Sequence, residues 1–223
     1  MKVAKTSPLR SRATSNEERS PKAATGVTKD AIVDAALRIF ARDTFAGASL
    51  QDIAHAAGVA QPLIHYHFCS KEKLWHAAVD HAWGDIERSF RTMVASTVDL
   101  EPIDIIKVLC RSFVQFCARY PENASIILNE MRVPGDRFKW LVETYVGPIH
   151  DHLDSLILRA TEKKQIKPIP PVHLTTTILI AIAHFFSVKQ LLAEIYHVDP
   201  LDPEVVDAHA NYVIEMIFHG IQA

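Results

Sequence analysis

One short predicted helix carries the side chains of this sequence that are best suited to recognise another molecule. It starts near Gln61, and its inward face carries Ile64 and Phe68 at a spacing of four residues. Its opposite face presents polar and aromatic groups to solvent: Gln61, Pro62, His65 and Tyr66. A helix with such a face fits the major groove of DNA, where the base edges display distinct donors and acceptors.

A second short helix precedes this one and must set its position. Ser49 and Asp52 have the spacing of a capping box, with Asp in place of the usual Glu. Apolar residues then recur with a helical period: Leu50, Ile53, Ala54 and Ala57. Gly58 follows at the C′ position, where a left-handed residue ends many helices. Two helices joined by so tight a turn predict a helix-turn-helix motif over residues 49–68.

A longer helix is predicted before this pair. Thr28 can serve as its N-cap. Its apolar stripe is formed by Ile32, Ala35, Ala36, Ile39 and Phe40. We expect it to end within residues 42–44. Residues 1–27 lack an apolar period and are interpreted as a disordered basic arm. Residues 28–76, called the head from here on, are interpreted as a DNA-binding domain.

The stretch from Ser49 to Lys71 resembles the TetR family of bacterial transcriptional regulators. Matches to the family pattern occur at Ile53, Ala54, Ala57, Gly58, Val59, Ile64, Phe68, Lys71 and Leu74. The resemblance covers about residues 28–80, and the remainder agrees in length and helical pattern. It implies an all-α fold, in which a three-helix DNA-binding head precedes a helical bundle that binds a ligand and dimerises.

The resemblance also implies roles for individual residues. Ser49 lies where the second helix of the family contacts a phosphate, and Lys71 lies where a lysine binds phosphate and sets the register. Gln61 and Pro62 stand where a member of the family has the same pair, and a glutamine amide can pair with adenine N6 and N7. Tyr66 occupies a position where some members have a second aromatic residue.

Three positions depart from the family pattern. His65 replaces the usual Tyr, and because histidine changes charge near neutral pH, it would make DNA binding sensitive to pH. Ala60 replaces the usual Ser N-cap of the reading helix, at a typical cost of about 1 kcal/mol. Thr44 replaces the customary Gly after the first helix, which predicts a different bend or strain there.

Residues 77–223, called the body from here on, have a helical pattern throughout. The predicted helices span residues 71–97, 102–119, 121–131, 137–164, 172–196 and 203–220. Pro148 predicts a kink near Gly147. The last two helices are strongly apolar and are predicted to form a homodimer through a four-helix bundle. Two-fold symmetry then requires a palindromic double-stranded operator, with reading helices about 34–36 Å apart.

By resemblance, the body should contain a pocket for a small apolar effector of unknown identity. Binding of the effector would shift the segment that begins at Lys71 and release the repressor from DNA. Aromatic and sparse polar side chains are predicted to line this pocket. These residues are Phe90, Phe113, Phe116, Asn129, Arg132, Trp140, His150 and His184.

Composition limits the classes of protein that remain. Of the 223 residues, 48% are hydrophobic and 22% charged, which is typical of a globular chain. Residues 1–76 carry four more basic than acidic residues, whereas residues 77–223 carry six fewer basic than acidic residues. A nucleic acid is therefore expected to bind to the N-terminal part of the chain. The longest apolar run, residues 178–183, is shorter than the roughly 18 residues of a membrane helix. With three cysteines and no secretory signal, we expect a cytoplasmic protein.

Two other classes remain open from sequence. One is a helical small-molecule or metal-binding protein whose head does not bind DNA, and the other is a helical-bundle enzyme. His150 with Asp154, and His81 with Asp85, are spaced four residues apart and could each hold a metal with a third ligand. Ordinary surface His–Asp pairs are the favoured interpretation. No nucleophile elbow, phosphate loop or HExxH motif occurs, so we expect no catalysis, no cofactor and no metal.

Overall fold

The computed structural model describes residues 21–96 and 99–221, and within these ranges the fold is all-α, as predicted. The head contains α1 (Pro21–Gly47), α2 (Leu50–Ala57), α3 (Gln61–Phe68) and the start of α4 (Lys71–Ser96). The body continues with α5 (Pro102–Arg119), α6 (Glu122–Arg132), α7 (Asp136–Leu141), a π-helical turn (Val142–Val146), α8 (Gly147–Glu162), α9 (Pro171–Ser187), α10 (Lys189–Tyr196) and α11 (Pro203–Ile221).

The first helix begins earlier than predicted. It starts at Pro21 rather than at Thr28, so the prediction of disorder is wrong for residues 21–27. Proline is favoured in a first helical turn, and the two alanines that soon follow it are good helix formers. Residues 1–20 of the predicted basic arm lie outside the described residues. The helical backbone is interrupted at Thr44, with φ 65° and ψ 170°, a conformation that favours glycine, so the predicted strain is present at this corner.

One apolar core joins the head to the middle of the body. Ile32, Phe40 and Ile53 are fully or almost fully buried in it, and Trp75 of α4 joins them. The same core includes Ile126 of α6, together with Leu141 and Tyr145. A second core fills the body between α5, α8, α9 and α11. Because α6 and α7 share a closely packed core with the head, a movement of these helices would displace side chains of the head.

The predicted kink near Gly147 is confirmed and takes the form of a π-helical turn. The Gly147 amide donates to the Val142 carbonyl, five residues back, instead of four. A Cβ at position 147 would lie 2.9 Å from that same carbonyl oxygen, so only glycine fits without movement of the backbone. Pro148 follows directly and has no amide hydrogen to donate, which favours a break in the regular helix here.

The single helix predicted over residues 172–196 is wrong, because the chain breaks at Val188. The two segments, α9 and α10, are bent by 68°. Val188 has φ −102° and ψ 25°, and the Ser187 hydroxyl donates to the His184 carbonyl at 2.8 Å. This side-chain hydrogen bond competes with the helical backbone pattern and favours an end. Among the described helices, none alone has the length and hydropathy to cross a membrane; α9 and α10 reach both only when they are counted together across their bend.

His209 of α11 stacks on Phe185 of α9, with ring centroids 4.0 Å apart and an angle of 11° between the rings. Burial lowers the pKa of His209 below its ordinary value of 6.5, and hydrogen bonds to the backbone of Ile182 and Ala181 partly oppose this. The folded protein therefore takes up this proton at a lower pH than the unfolded chain does. Because the folded protein favours the neutral form of His209, we expect the free energy of unfolding to be highest, as far as this group is concerned, above pH 6.5. It should decline as the pH falls below that value.

Urea denaturation at a series of pH values would measure this loss. His209→Gln should unfold with a weaker pH dependence between pH 5 and about 6.5 than the parent chain does. His219→Gln, at an exposed position of the same helix, is the matched control and should keep the parental dependence. An identical pH dependence for the His209 variant and its parent would contradict this assignment.

Candidate DNA interface and effector cavity

The N-terminus of α2 is capped as the sequence predicts. The Ser49 hydroxyl accepts a hydrogen bond from the Asp52 amide at 3.0 Å and donates to the Asp52 carboxylate at 2.6 Å. At the other end, Gly58 has φ 68° and ψ 31°, and its amide donates back to the last turn of α2. These two caps fix the length of α2 and therefore the direction in which the chain enters α3.

The reading face of α3 is open to solvent. Ile64 and Phe68 are buried, as predicted, and anchor α3 against the rest of the head. On the other side Tyr66 is 78% exposed. The remaining predicted reading residues, Gln61, Pro62 and His65, are exposed as well. As predicted, Ala60 provides no side-chain cap. The geometry leaves this face accessible to a DNA duplex.

Lys71 is held at the corner between α1 and α2. Its Nζ lies 4.8 Å from the centroid of the Phe45 ring and 3.5 Å from the Ala46 carbonyl oxygen. The predicted phosphate ligand is therefore partly buried, with its ammonium group on the strained Thr44 corner. A cation held at a fixed position relative to α3 would, by contacting a phosphate, set the register of α3 on the duplex.

Arg137 of α7 meets the same corner from the body. Its guanidinium lies 3.7 Å from the centroid of Phe45. Nε donates to the Glu130 carboxylate at 3.1 Å, and Nη1 donates to the Glu72 carboxylate of α4 at 3.3 Å. The Glu130 side chain is only 5% exposed, so its charge depends on Arg137. Sequence analysis did not find this cluster, because its members come from four separate helices.

Asn129 also contacts the head, which corrects its predicted place in the pocket. Its side-chain amide donates to the carbonyl oxygens of Phe40 at 3.4 Å and Ala41 at 3.0 Å. These carbonyls belong to α1, so Asn129 connects α6 to the head instead of facing a ligand. Tyr145 connects the π-helical turn to α4, because its hydroxyl donates to Asp80 at 2.5 Å.

Described residues of the body line two cavities of interest. The larger has a volume of about 410 Å³, and the smaller about 230 Å³. Phe113, Ile149 and Leu179 line both, so the cavities adjoin. The larger volume is within the range of about 300–1,000 Å³ that is usual for small-molecule sites. Its walls come from α4 to α9, including the π-helical turn.

The predicted pocket residues divide between these cavities and other places. Phe113 lines both cavities, Phe116 lines the smaller, and His150 and His184 line the larger. Neither of these two cavities is lined by Arg132 or Trp140. Arg132 ends α6 on an exposed surface, and Trp140 packs edge-on against Trp75, His76 and Tyr145. The side chain of Phe90 lies outside the described residues.

The spacing of His150 and Asp154 does not produce a metal site. Asp154 accepts a hydrogen bond from the buried Thr175 hydroxyl, while His150 lines the larger cavity. His81 lies 3.3 Å from Asp34 of α1. Among the residues that the structure describes, no group of three potential ligands is arranged to hold a metal ion.

Comparison with known families agrees with this architecture. A family model for bacterial regulatory proteins of the TetR family matches residues 32–78, and one for Tetracyclin repressor-like C-terminal domains matches residues 102–217. The helix-turn-helix and the helical body behind it therefore define a DNA-binding, ligand-responsive transcriptional regulator. The chain belongs to the TetR family, which confirms the resemblance seen between Ser49 and Lys71.

Individual relatives are distant. The HTH-type transcriptional regulator RutR of Escherichia coli K12 is 28% identical over 165 residues, which cover 73% of this chain and 75% of RutR. The HTH-type transcriptional repressor NicS of Pseudomonas putida KT2440 is 26% identical over 103 residues, or 46% of this chain and 48% of NicS.

Solved structures share the fold at still lower identity. AibR, crystallised with isovaleryl coenzyme A and operator DNA, has a TM-score of 0.69 at 18% identity, covering 86% of this chain and 98% of AibR. FadR of Bacillus subtilis, in complex with stearoyl-CoA, has a TM-score of 0.63 at 18% identity, covering 86% of this chain and 99% of FadR.

Proposed function

We propose that this regulator is a homodimeric repressor, acting in the bacterial cytoplasm, that a small apolar effector releases from a palindromic operator. The single observation that carries this proposal is the connection between its two candidate sites. Helix α6 lines the larger cavity with one set of side chains and contacts the head with another. Residues 28–76 would bind DNA, and residues 77–223 would bind the effector and the second subunit.

The exposed apolar side chains of α9 and α11 support dimerisation through these helices. Val172 and Ile180 of α9 are 65% and 58% exposed, and Tyr212 and Met216 of α11 are 65% and 69% exposed. Side chains of this kind are normally covered by a partner when they are grouped on adjacent helices. The two helices pack against each other, so a second copy could complete a four-helix bundle. Because α10 bends away, the proposed interface uses α9 and α11.

The coupling between effector and DNA is proposed to run through α6 and α7. Ile127, Leu128 and Met131 line the larger cavity, whereas Asn129 bonds to α1 of the head. Glu130 binds Arg137 of α7, which in turn bonds to Glu72 of the head. A ligand that displaces the cavity-lining residues must also move Asn129 and Glu130, since all of them belong to one rigid helix. Allosteric coupling free energies are typically about 1–3 kcal/mol, which a small shift of such contacts can supply.

Lys71→Ala tests the proposed phosphate contact. We expect weaker binding to specific and random duplexes alike, because a phosphate contact carries no sequence information. The slope of log K against log salt should also become shallower by about one unit. Fluorescence anisotropy titrations at several salt concentrations, on duplexes from the region upstream of the protein's own gene, would measure both effects.

Lys189→Ala is the matched control for Lys71→Ala, because Lys189 is an exposed lysine of α10 in the body. It should bind every duplex with the parental affinity and salt slope. If the Lys71 variant keeps the parental slope as well, Lys71 does not contact a phosphate. If the parent binds no duplex at low salt, the proposed function is wrong.

A further inference from the structure

The described lining of the larger cavity favours an uncharged occupant. Most of the lining side chains that the structure describes are aliphatic or aromatic, and none of these is a lysine, arginine, aspartate or glutamate. A carboxylate or phosphate placed there would lose its hydration without gaining a cation, which is costly. The polar side chains in the lining belong to Trp83, His150, Thr176, His184 and Ser187.

The two contacts of the Ser187 hydroxyl with His184 favour one tautomer of the His184 ring. The Ser187 hydroxyl lies 2.8 Å from the His184 carbonyl oxygen and donates its one hydrogen there. The same hydroxyl oxygen lies 3.2 Å from Nδ1 of His184. With the hydroxyl hydrogen assigned to the carbonyl, Nδ1 is assigned as the donor in this second contact. In the neutral ring, Nε2 is then an acceptor without a hydrogen.

An acceptor in an apolar wall selects the chemistry of its ligand. A carbonyl or ether oxygen would place a lone pair against the lone pair of Nε2, whereas a hydroxyl can donate to it. His184 is exposed as well as lining the cavity, so it lies at the mouth. Ile180, one turn earlier, belongs both to the lining and to the proposed dimer face. A second subunit would therefore shield this end from water and strengthen the hydrogen bond.

We propose that the larger cavity binds a neutral, largely apolar molecule with a hydroxyl group that donates to Nε2 of His184. This inference rests on the proposed function, because it identifies the chemical class of the effector for the same cavity. Phe113, Phe138 and the aliphatic side chains around them would contact the apolar part. The coenzyme A thioesters bound by AibR and FadR carry phosphates, and none of the described side chains that line the larger cavity is a lysine or arginine that could bind them.

A matched pair of probes tests the hydroxyl. 4-Phenylphenol and 4-methylbiphenyl have similar shapes and differ by a hydroxyl in place of a methyl group. Isothermal titration calorimetry of the full-length protein would give the dissociation constant of each probe. The ratio of the two dissociation constants compares the hydroxyl group with the methyl group. We expect His184→Phe to shift this ratio about tenfold against the phenol, the size expected for one lost hydrogen bond. The different hydrophobicity of the probes cancels in the comparison between proteins.

His173→Phe is the control, because His173 is exposed on the same helix and does not line either cavity. It should keep the parental ratio. A ratio that His184→Phe changes less than twofold would overturn the proposal, and so would the absence of binding by both probes. Nitrogen-15 spectra of the parent should also show His184 with its proton on Nδ1, and the opposite tautomer would overturn it too. Duplex binding is measured separately, so a failure of the proposed function would be distinguishable.

Discussion

Arg137→Met is expected to lower the free energy of unfolding by about 3 kcal/mol, because it leaves a buried carboxylate without its cation. The Glu130 side chain is 5% exposed and that of Arg137 is 26% exposed, so water compensates little of the loss. Methionine keeps an apolar stem of similar length, and the change therefore tests the charge. Urea denaturation at a fixed protein concentration would measure it.

The double variant Glu130→Met, Arg137→Met should recover most of that stability, since it removes both charges together. Arg111→Met is the control, because the Arg111 guanidinium bonds Asn211 at an exposed position and should contribute at most about 1 kcal/mol. If Arg137→Met is no less stable than the control, the buried Glu130 carboxylate does not need Arg137 to compensate its charge. The cluster would then not connect the body to the head.

The double variant Tyr212→Glu, Met216→Glu is expected to be a monomer and to lose at least about 100-fold in operator affinity. Four acidic side chains would meet at the proposed interface of α11 with its symmetry mate, where the exposed apolar surface is now grouped. A single head retains only half of the contacts, without the high effective concentration that linkage provides. Sedimentation velocity and anisotropy titrations would measure the two effects.

Val133→Glu provides the control for these substitutions. Val133 is 78% exposed at the C-terminal end of α6 and belongs to neither α9 nor α11, so the change adds an acid outside the helices of the proposed interface. This variant should remain dimeric and keep its operator affinity. A dimeric Tyr212, Met216 variant would contradict the proposed interface and require another face for the second subunit.

Sequence reasoning succeeded where structure is set by neighbouring residues. The cap at Ser49, the left-handed Gly58 and the start of α3 at Gln61 depend on side chains within one or two turns. Local patterns record such interactions directly. The kink at Gly147 was predictable for the same reason, because Pro148 follows it in the chain.

Sequence reasoning failed where the contact joins distant parts of the chain. Asn129 bonds to a carbonyl 89 residues earlier, and nothing in its own helix indicates this. Trp140 is similar, because its partners Trp75 and His76 come from α4. Polar and aromatic residues on a helix of the body can either line a ligand pocket or form a contact between two helices, and the sequence pattern is the same in both cases. The break at Val188 was missed because no proline or glycine marks it.

The central claim is that the exposed face of α3 reads base edges from a two-fold symmetric protein. Selection from a random duplex library tests it most directly, comparing the parent with Gln61→Ala, His65→Ala, Tyr66→Ala. The account predicts that the parent enriches a palindrome with half-sites about one helical turn apart. The triple variant should keep its helical content and its non-specific binding but lose this enrichment. Enrichment of the same palindrome by the triple variant, or of no sequence by the parent, would contradict the claim.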